Sequence, residues 1–219
     1  MSWFAAAIIA GITSFAATNI DDLVISMLFF AQVNSTFRPR QIFIGKYLGF
    51  AALVAASLPG FFGGLIVPPA IIGLLGLVPV AIGISHLVKR DNDENDLQAV
   101  SAEFNRQSNS SAVSKLASLF DPQILNVAAV TVANGGDNIG IYLPLFASSD
   151  LPSLAVILAV FFLMVGVWCY VGYWLTLHGA IARVLTRYTK AVVPFVLIGL
   201  GIFILIDSGT YRLLALFQF

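Results

Sequence analysis

Apolar residues fill most of the chain in six runs, which are separated by shorter stretches of Pro, Gly and polar residues. A helix needs about 20 mainly apolar residues to cross the ~30 Å hydrocarbon core of a bilayer, and the runs approach or exceed this length. We therefore predict six transmembrane helices. Their predicted ranges are 3–33, 42–58, 70–88, 123–147, 151–177 and 191–206.

The first run, Trp3 to Val33, is too long for one straight crossing. A straight helix of this length would extend about 46 Å, at 1.5 Å per residue. The run also contains adjacent carboxylates, Asp21 and Asp22. Each Asp costs roughly 2.5–3.5 kcal/mol at the centre of a membrane helix, so it must be buried in protein and given a partner. We predict that this helix is interrupted between Thr18 and Asp22, at the membrane midplane.

A second acidic stretch lies in the fourth run, where Asp137 follows Asp21 by 116 residues and Ala133 follows Ala17 by the same spacing. With three helices in each half, the second half enters the membrane upside down. Transporters built this way bind their substrates near the midplane, where interrupted helices meet. We therefore predict an all-α integral membrane protein of two inverted three-helix repeats, with helices 1 and 4 interrupted at the midplane. The predicted divisions are residues 1–88 for the first repeat, 89–121 for a cytoplasmic linker and 122–219 for the second repeat.

Composition supports a chain that lies in a lipid bilayer. Hydrophobic residues make up 59% of it, charged residues 10%, and the mean hydropathy is +0.94. A soluble domain carries about 25% charged residues. The 11 basic and 11 acidic residues balance, so the sequence gives no reason to expect a nucleic-acid partner. Both a monomer and a homo-oligomer remain open.

Basic residues predict the orientation of the six helices. The connections between helices 1 and 2, 3 and 4, and 5 and 6 lie on one side, and ten basic residues are assigned to that side. Only Arg212 is assigned to the other. The positive-inside rule then places the three connections in the cytoplasm and both termini outside. The ten residues are Arg38, Arg40, Lys46, Lys89, Arg90, Arg106, Lys115, Arg183, Arg187 and Lys190.

The polar residues of the two acidic stretches suit a divalent cation. Each stretch has a trio spaced i, i+3, i+4, which places its members on one face of a helical turn. Three carboxylates among other oxygen donors, in a dry interior, match a metal ion whose charge offsets theirs. We predict that the metal site comprises Thr18, Asn19, Asp21, Asp22, Asn134, Asp137 and Asn138.

Three classes of function fit these residues. The first is an exporter of divalent cations, and the second is an exporter of a cationic amino acid or another small organic cation. The third is a membrane protein without transport activity, either an enzyme or an assembly factor. A separate alternative for the site itself is that the aspartates only hold helices together through polar contacts. The third carboxylate favours a divalent cation over a singly charged one, and a single Asn would join helices at lower cost. Because no nucleotide-binding motif or nucleophile–base arrangement is present, we predict neither an enzyme nor a resident cofactor.

The carboxylates also suggest an energy source for transport. When the metal leaves, burial and mutual repulsion favour protonation of at least one carboxylate. We therefore predict that protons are exchanged for the metal, with sodium as the alternative coupling ion.

Three further residues carry weaker signals. His86 and His178 lie at the ends of the third and fifth predicted helices, where a His either anchors the helix at the interface or takes part in metal handover or proton exchange. Cys169 is either a small packing residue or a soft metal ligand. As the only cysteine, it cannot form an intrachain disulfide.

Both acidic stretches resemble motifs of the bacterial cadmium-resistance transporter family, within the lysine-exporter superfamily. The similar segments are residues 17–22 (Ala-Thr-Asn-Ile-Asp-Asp), residues 133–142 (Ala-Asn-Gly-Gly-Asp-Asn-Ile-Gly-Ile-Tyr) and residues 144–146 (Pro-Leu-Phe). The resemblance extends over essentially the whole chain, including its size and number of helices. It implies a protein of the bacterial cytoplasmic membrane that exports Cd²⁺ or a related divalent cation and confers cadmium resistance.

The resemblance assigns the transported ion to Asp21, Asp22, Asn134, Asp137 and Asn138. Cd²⁺ prefers thiolate ligands, whereas these residues provide hard oxygen donors. The residues themselves therefore predict a divalent cation and leave Ca²⁺ and Mn²⁺ open, while cadmium follows from the resemblance.

Overall fold

A computed structural model describes residues 3–88, 121–177 and 179–210. Every regular element in these ranges is helical, as the sequence predicts. The predicted linker 89–121 lies outside the described residues except for Asp121, which caps the next helix by accepting a hydrogen bond from the Gln123 amide. The elements are α1 (Trp3–Thr18), α2 (Ile20–Ala31), α3 (Pro39–Gly64), α4 (Pro69–Ile72), a 3₁₀ turn (Gly73–Gly76), α5 (Leu77–Val88), α6 (Pro122–Asn134), α7 (Gly136–Ala147), α8 (Leu151–Thr176) and α9 (Gly179–Asp207).

Two helices, α3 and α8, are each long and apolar enough to cross a membrane. Both have 26 residues, which corresponds to about 39 Å. A third candidate is the pair α1 and α2, which passes the same criterion when taken together and is bent by 61°. Shorter apolar helices lie at Gly73–Ser85, Asn138–Ala147 and Val193–Asp207. Within the described ranges, therefore, two or three segments are candidate membrane spans, as expected for a membrane protein.

Helix breaks occur at both places where the sequence predicts an interruption. Asn19 separates α1 from α2, and Gly135 separates α6 from α7. These two residues are also 116 positions apart (135 − 19), so they are equivalent in the predicted repeat. Asp21 and Asp137 follow them as the second residues of α2 and α7. Each predicted interruption thus places an aspartate in the first turn of a new helix.

Three predicted boundaries are wrong. The turn predicted at residues 59–64 is helical, because α3 continues through Pro59 to Gly64. The predicted helix 70–88 is divided into α4, the 3₁₀ turn and α5. The last helix begins at Gly179 instead of residue 191, so it includes three basic residues assigned to the preceding connection. Gly60 and Gly64, which look like turn residues in the sequence, lie instead in an interface between α3 and α7.

Four of the five glycines of α3 form two pairs, and the members of each pair are spaced by four residues. Gly45 and Gly49 face α6, where a Cβ atom on Gly45 would lie 2.7 Å from the Ile124 carbonyl oxygen and one on Gly49 would lie 2.5 Å from that of Ala128. Gly60 and Gly64 face the carbonyl groups of Leu143 and Ala147 on α7 in the same way. Small residues at this spacing let helix backbones approach closely, which is how helices associate in lipid.

Each broken helix packs against the long helix of the other half of the chain. α3 packs along α6 and α7, whereas α8 packs along α1 and α2. α1 also contacts α7, α2 contacts α6, and α5 lies along α9. The two halves are therefore interlocked, with each broken helix lying along the long helix of the other half.

Aromatic side chains fill the space around the breaks. Phe15 of α1, Phe50 of α3, Tyr142 of α7 and Phe161 of α8 form one cluster. The ring centroids of Tyr142 and Phe161 are 4.7 Å apart, and those of Phe15 and Phe50 are 5.4 Å apart. All four side chains are buried. The breaks therefore lie in an apolar interior, where each polar group needs a protein partner.

Candidate metal site

Hydrogen bonds join the first break to α7. The hydroxyl oxygens of Thr18 and Tyr142 are 2.8 Å apart, and the Asn19 side-chain amide donates to the Tyr142 hydroxyl at 2.7 Å. Tyr142 lies four residues after Asn138 and hence on the same face of α7. Both Asn138 and Tyr142 are buried. Thr18 and Asn19 of the first acidic stretch are therefore joined by hydrogen bonds to α7, at a residue one turn beyond Asn138 of the second stretch.

Asn19 also fixes the shape of the break. Its side-chain amide donates to the Phe15 carbonyl oxygen at 2.9 Å, and its backbone carbonyl accepts a hydrogen bond from the Trp168 indole at 2.7 Å. An interrupted helix exposes backbone groups that lipid cannot satisfy. Asn19 and Trp168 thus satisfy them from within the protein, and Trp168 connects the break to α8.

The helix ends at the breaks explain how negative charge is tolerated there. The second and third residues of α2 are Asp21 and Asp22, and those of α7 are Asp137 and Asn138. Backbone N–H groups at a helix N-terminus stabilise negative charge, and carbonyl groups at a C-terminus favour cations. Asn134, which is half-buried, is the last residue of α6. Each break therefore combines the carbonyl end of one helix with acidic residues in the first turn of the next, a combination that suits a cation.

Asp22 forms an ion pair that the sequence analysis missed. The Lys46 ammonium nitrogen lies 2.5 Å from Asp22 Oδ1, and the Lys46 side chain is only 1% exposed. The same nitrogen lies 5.8 Å from the ring centroid of Phe29. Lys46 was assigned to a cytoplasmic connection in the orientation argument, and that assignment is wrong because it is buried within α3. Nine basic residues (10 − 1) are then assigned to the cytoplasmic side and one to the outside, so the predicted orientation does not change.

The sequence contained a signal for this pair. Lys46 lies inside the predicted helix 42–58, and a lone Lys in a membrane helix costs as much as an Asp. Like each buried aspartate, Lys46 therefore needs a partner within the protein.

In a comparison with protein-family models, residues 15–217 match the model described as "Cadmium resistance transporter". The chain belongs to the cadmium resistance transporter family. The matched region includes both helix breaks and the Lys46–Asp22 pair. Neither a curated protein nor a solved structure matches the chain significantly. Family membership confirms the resemblance and makes the protein a membrane transporter of a family that acts in cadmium resistance by metal efflux.

The side chains of two predicted ligands of this transporter, Asp21 and Asp137, lie outside the described part of the structure. So do the side chain of His86 and the whole of His178, which carry weaker signals in the sequence. Among the side chains that are described, no three His, Cys, Asp or Glu residues form a group that would hold a metal. The seven-residue metal site therefore remains a prediction, of which the structure brings together Thr18, Asn19 and the α7 segment that carries Asn138.

Cys169 of α8 is buried, and it is a free cysteine. Its thiol lies close enough to Lys46 and Asp22 to interact with both charges electrostatically. The single thiol of the transporter is therefore within electrostatic range of an aspartate of the predicted site.

Proposed function

We propose that this transporter exports a divalent cation, Cd²⁺ or a related ion, from the bacterial cytoplasm in exchange for protons. The observation that carries the proposal is the contact of Thr18 and Asn19, at the first break, with Tyr142 of α7, the helix that begins at the second break. Interrupted helices that meet inside a bundle are typical ion-binding places in secondary transporters. The proposed ligands are the seven residues predicted from the sequence, with the metal as transported substrate.

The packing of the helices supports an inverted repeat, which the proposal requires. The equivalents α3 and α8 both have 26 residues, and each packs along the broken helix of the opposite half. The equivalents α5 and α9 pack against each other. A pseudo-twofold axis between two repeats produces this pattern, because each helix then makes the same contact with the opposite repeat as its equivalent does. Alternating access would then occur by movement of one repeat against the other around a site at the membrane midplane.

The charges at the site suit exchange of one divalent cation for two protons. Three carboxylates and the Lys46 ammonium sum to a charge of −2 (−3 + 1). A bound divalent cation cancels this charge, and so do two protons. Uncompensated charge is costly in an apolar interior. A site that holds either one divalent cation or two protons can therefore change its access from one side of the membrane to the other more easily than an empty site.

Transport in everted membrane vesicles tests the proposal. With the interior of the vesicles made acidic, we expect uptake of Cd²⁺, because protons leaving through the transporter drive metal in the opposite direction. A protonophore should abolish this uptake. Vesicles that contain the Asp137→Asn variant provide the control for leakage and surface binding.

Other results of the same experiment would contradict parts of the proposal. Uptake that ignores the protonophore and follows a sodium gradient would replace protons by sodium as the coupling ion. Inhibition by an excess of lysine or arginine, with none by Mn²⁺ or Zn²⁺, would favour the organic-cation exporter. Absence of any cation-dependent uptake by an accumulated, folded protein would contradict export altogether.

Cysteine labelling on intact cells tests the proposed orientation. In a Cys169→Ala background, we expect a membrane-impermeant thiol reagent to label Ser2→Cys and Phe217→Cys but not Asn105→Cys, because both termini face outward and the linker faces inward. Permeabilised cells should allow labelling at position 105 and serve as the control. The opposite pattern, with label at 105 alone, would reverse the orientation.

A further inference from the structure

We infer that Lys46 is a built-in competitor for the transported cation, because its ammonium group holds Asp22 when no metal is bound and must leave Asp22 when metal binds. The inference rests on the proposed function, since it takes Asp22 as a metal ligand. It adds to the site a residue that lies outside both acidic stretches and is not among the seven predicted ligands.

The geometry leaves Lys46 few alternatives to Asp22. Its side chain is almost completely buried and lies 2.5 Å from the carboxylate oxygen. A buried ammonium group needs a partner, because its transfer from water to an apolar interior is costly. A metal at Asp22 would bring a double positive charge next to this ammonium, and the two cations would repel each other. The metal and Lys46 therefore compete for the same carboxylate.

The structure also shows where the displaced ammonium group would find support. The face of the Phe29 ring lies 5.8 Å from the Lys46 nitrogen, within the range of a cation–π interaction. The Lys side chain is flexible and carries a compact charge, so a small rotation moves it from the carboxylate towards this ring. Asp22 is less completely buried than Lys46, with 13% of its side chain exposed. The carboxylate is therefore the more accessible member of the ion pair.

Competition by a tethered cation helps an exporter to release its substrate. Lys46 is always present at the site, whatever the metal concentration on either side of the membrane. Its return to Asp22 lowers the affinity for metal and hastens dissociation of the metal. The apparent affinity falls because only the fraction of transporters in which Asp22 is free of Lys46 is competent to bind metal. Removal of the ammonium group should therefore tighten metal binding and slow turnover.

Cd²⁺ binding to the purified full-length transporter tests this inference by calorimetry. If the ion pair is closed in about nine of ten metal-free molecules, Lys46→Gln should bind Cd²⁺ about tenfold more tightly than the wild type. Lys46→Arg keeps the charge and can bind the carboxylate through two hydrogen bonds. It should bind Cd²⁺ more weakly than the wild type. Arg40→Gln removes a positive charge from an exposed position of the same helix and should leave affinity unchanged.

Transport kinetics in vesicles provide a readout that a purely structural role would not produce. For Lys46→Gln we expect both the half-saturating Cd²⁺ concentration and the maximal rate to fall. A lysine that merely supported the fold would, when replaced, lower the rate and raise the half-saturating concentration.

The outcomes separate this inference from the proposed function. If the wild type binds no divalent cation, both are overturned. A second outcome would overturn only the role of Lys46. In it, the wild type binds Cd²⁺, the double variant Asp22→Asn/Lys46→Gln does not, and the single variant Lys46→Gln binds Cd²⁺ no more tightly than the wild type. Should Lys46→Gln fail to accumulate, Lys46→Arg decides, since equal or tighter Cd²⁺ binding by that variant also overturns the competition.

Discussion

Replacement of Asp21 or Asp137 by Asn should reduce Cd²⁺ export by about a hundredfold or more, while the protein still accumulates in the membrane. Each substitution removes a proposed ligand carboxylate, and changes even to the outer partners of metal ligands lower affinity by about 10–100-fold. Neither should prevent folding, because Asn keeps the shape of the side chain and removes a charge that is costly to bury. Uptake into everted vesicles, normalised to the amount of transporter, measures the effect.

The control for this prediction is Asp207→Asn, a substitution of the exposed last residue of α9. It should transport at the wild-type rate. Normal transport by both site variants would remove Asp21 and Asp137 from the metal site. A loss that merely parallels a loss of protein would mean that these aspartates support the fold and do not bind the ion.

Asp22→Asn should behave differently and destabilise the protein by about 3–5 kcal/mol, because it leaves the buried Lys46 ammonium without its counter-charge. The sequence alone predicts no such difference among the three aspartates. Adding Lys46→Gln should restore most of the lost stability, since both charges are then gone. Export should not return, because the carboxylate is still missing. Thermal unfolding of the purified variants and their accumulation in membranes measure the two effects.

This double variant separates a structural pair from a functional one. Equal thermal stability of Asp22→Asn and the wild type would mean that Lys46 finds another partner. Restored export in the double variant would show that Asp22 serves only to neutralise Lys46. The Asp207→Asn variant again controls for loss of a carboxylate at the surface.

The helix breaks were predictable from the sequence because charge in an apolar run has few physical explanations. Asp21 and Asp22 could not lie in a continuous lipid-facing helix, so a break with protein partners was required. The 116-residue spacing then predicted a second break near Asp137, and Gly135 lies there. These predictions depended on the energetic cost of a charge in an apolar run and on the spacing of residues along the chain. Both can be read from the sequence.

Features that depend on three-dimensional packing were not predictable in the same way. Gly60 and Gly64 look like turn residues, yet they lie in a helix because the carbonyl groups of α7 approach them. Tyr142 belonged to the motif that carries the resemblance, but its hydrogen bonds to Thr18 and Asn19 depend on how α1 and α7 meet. Trp168 looked like an ordinary apolar residue until its indole was seen to bind the carbonyl at the break.

The interlocked packing has a consequence for how the protein is made. During synthesis, α1 to α3 leave the ribosome well before α6 to α8, which are the helices they pack against. Until then the glycine faces of α3 contact lipid, which fits such narrow grooves poorly. The Lys46–Asp22 pair, by contrast, lies entirely within the first half and can form at once. The newly inserted first half is therefore able to neutralise its buried charge early, but it reaches its final packing only when the last part of the chain arrives.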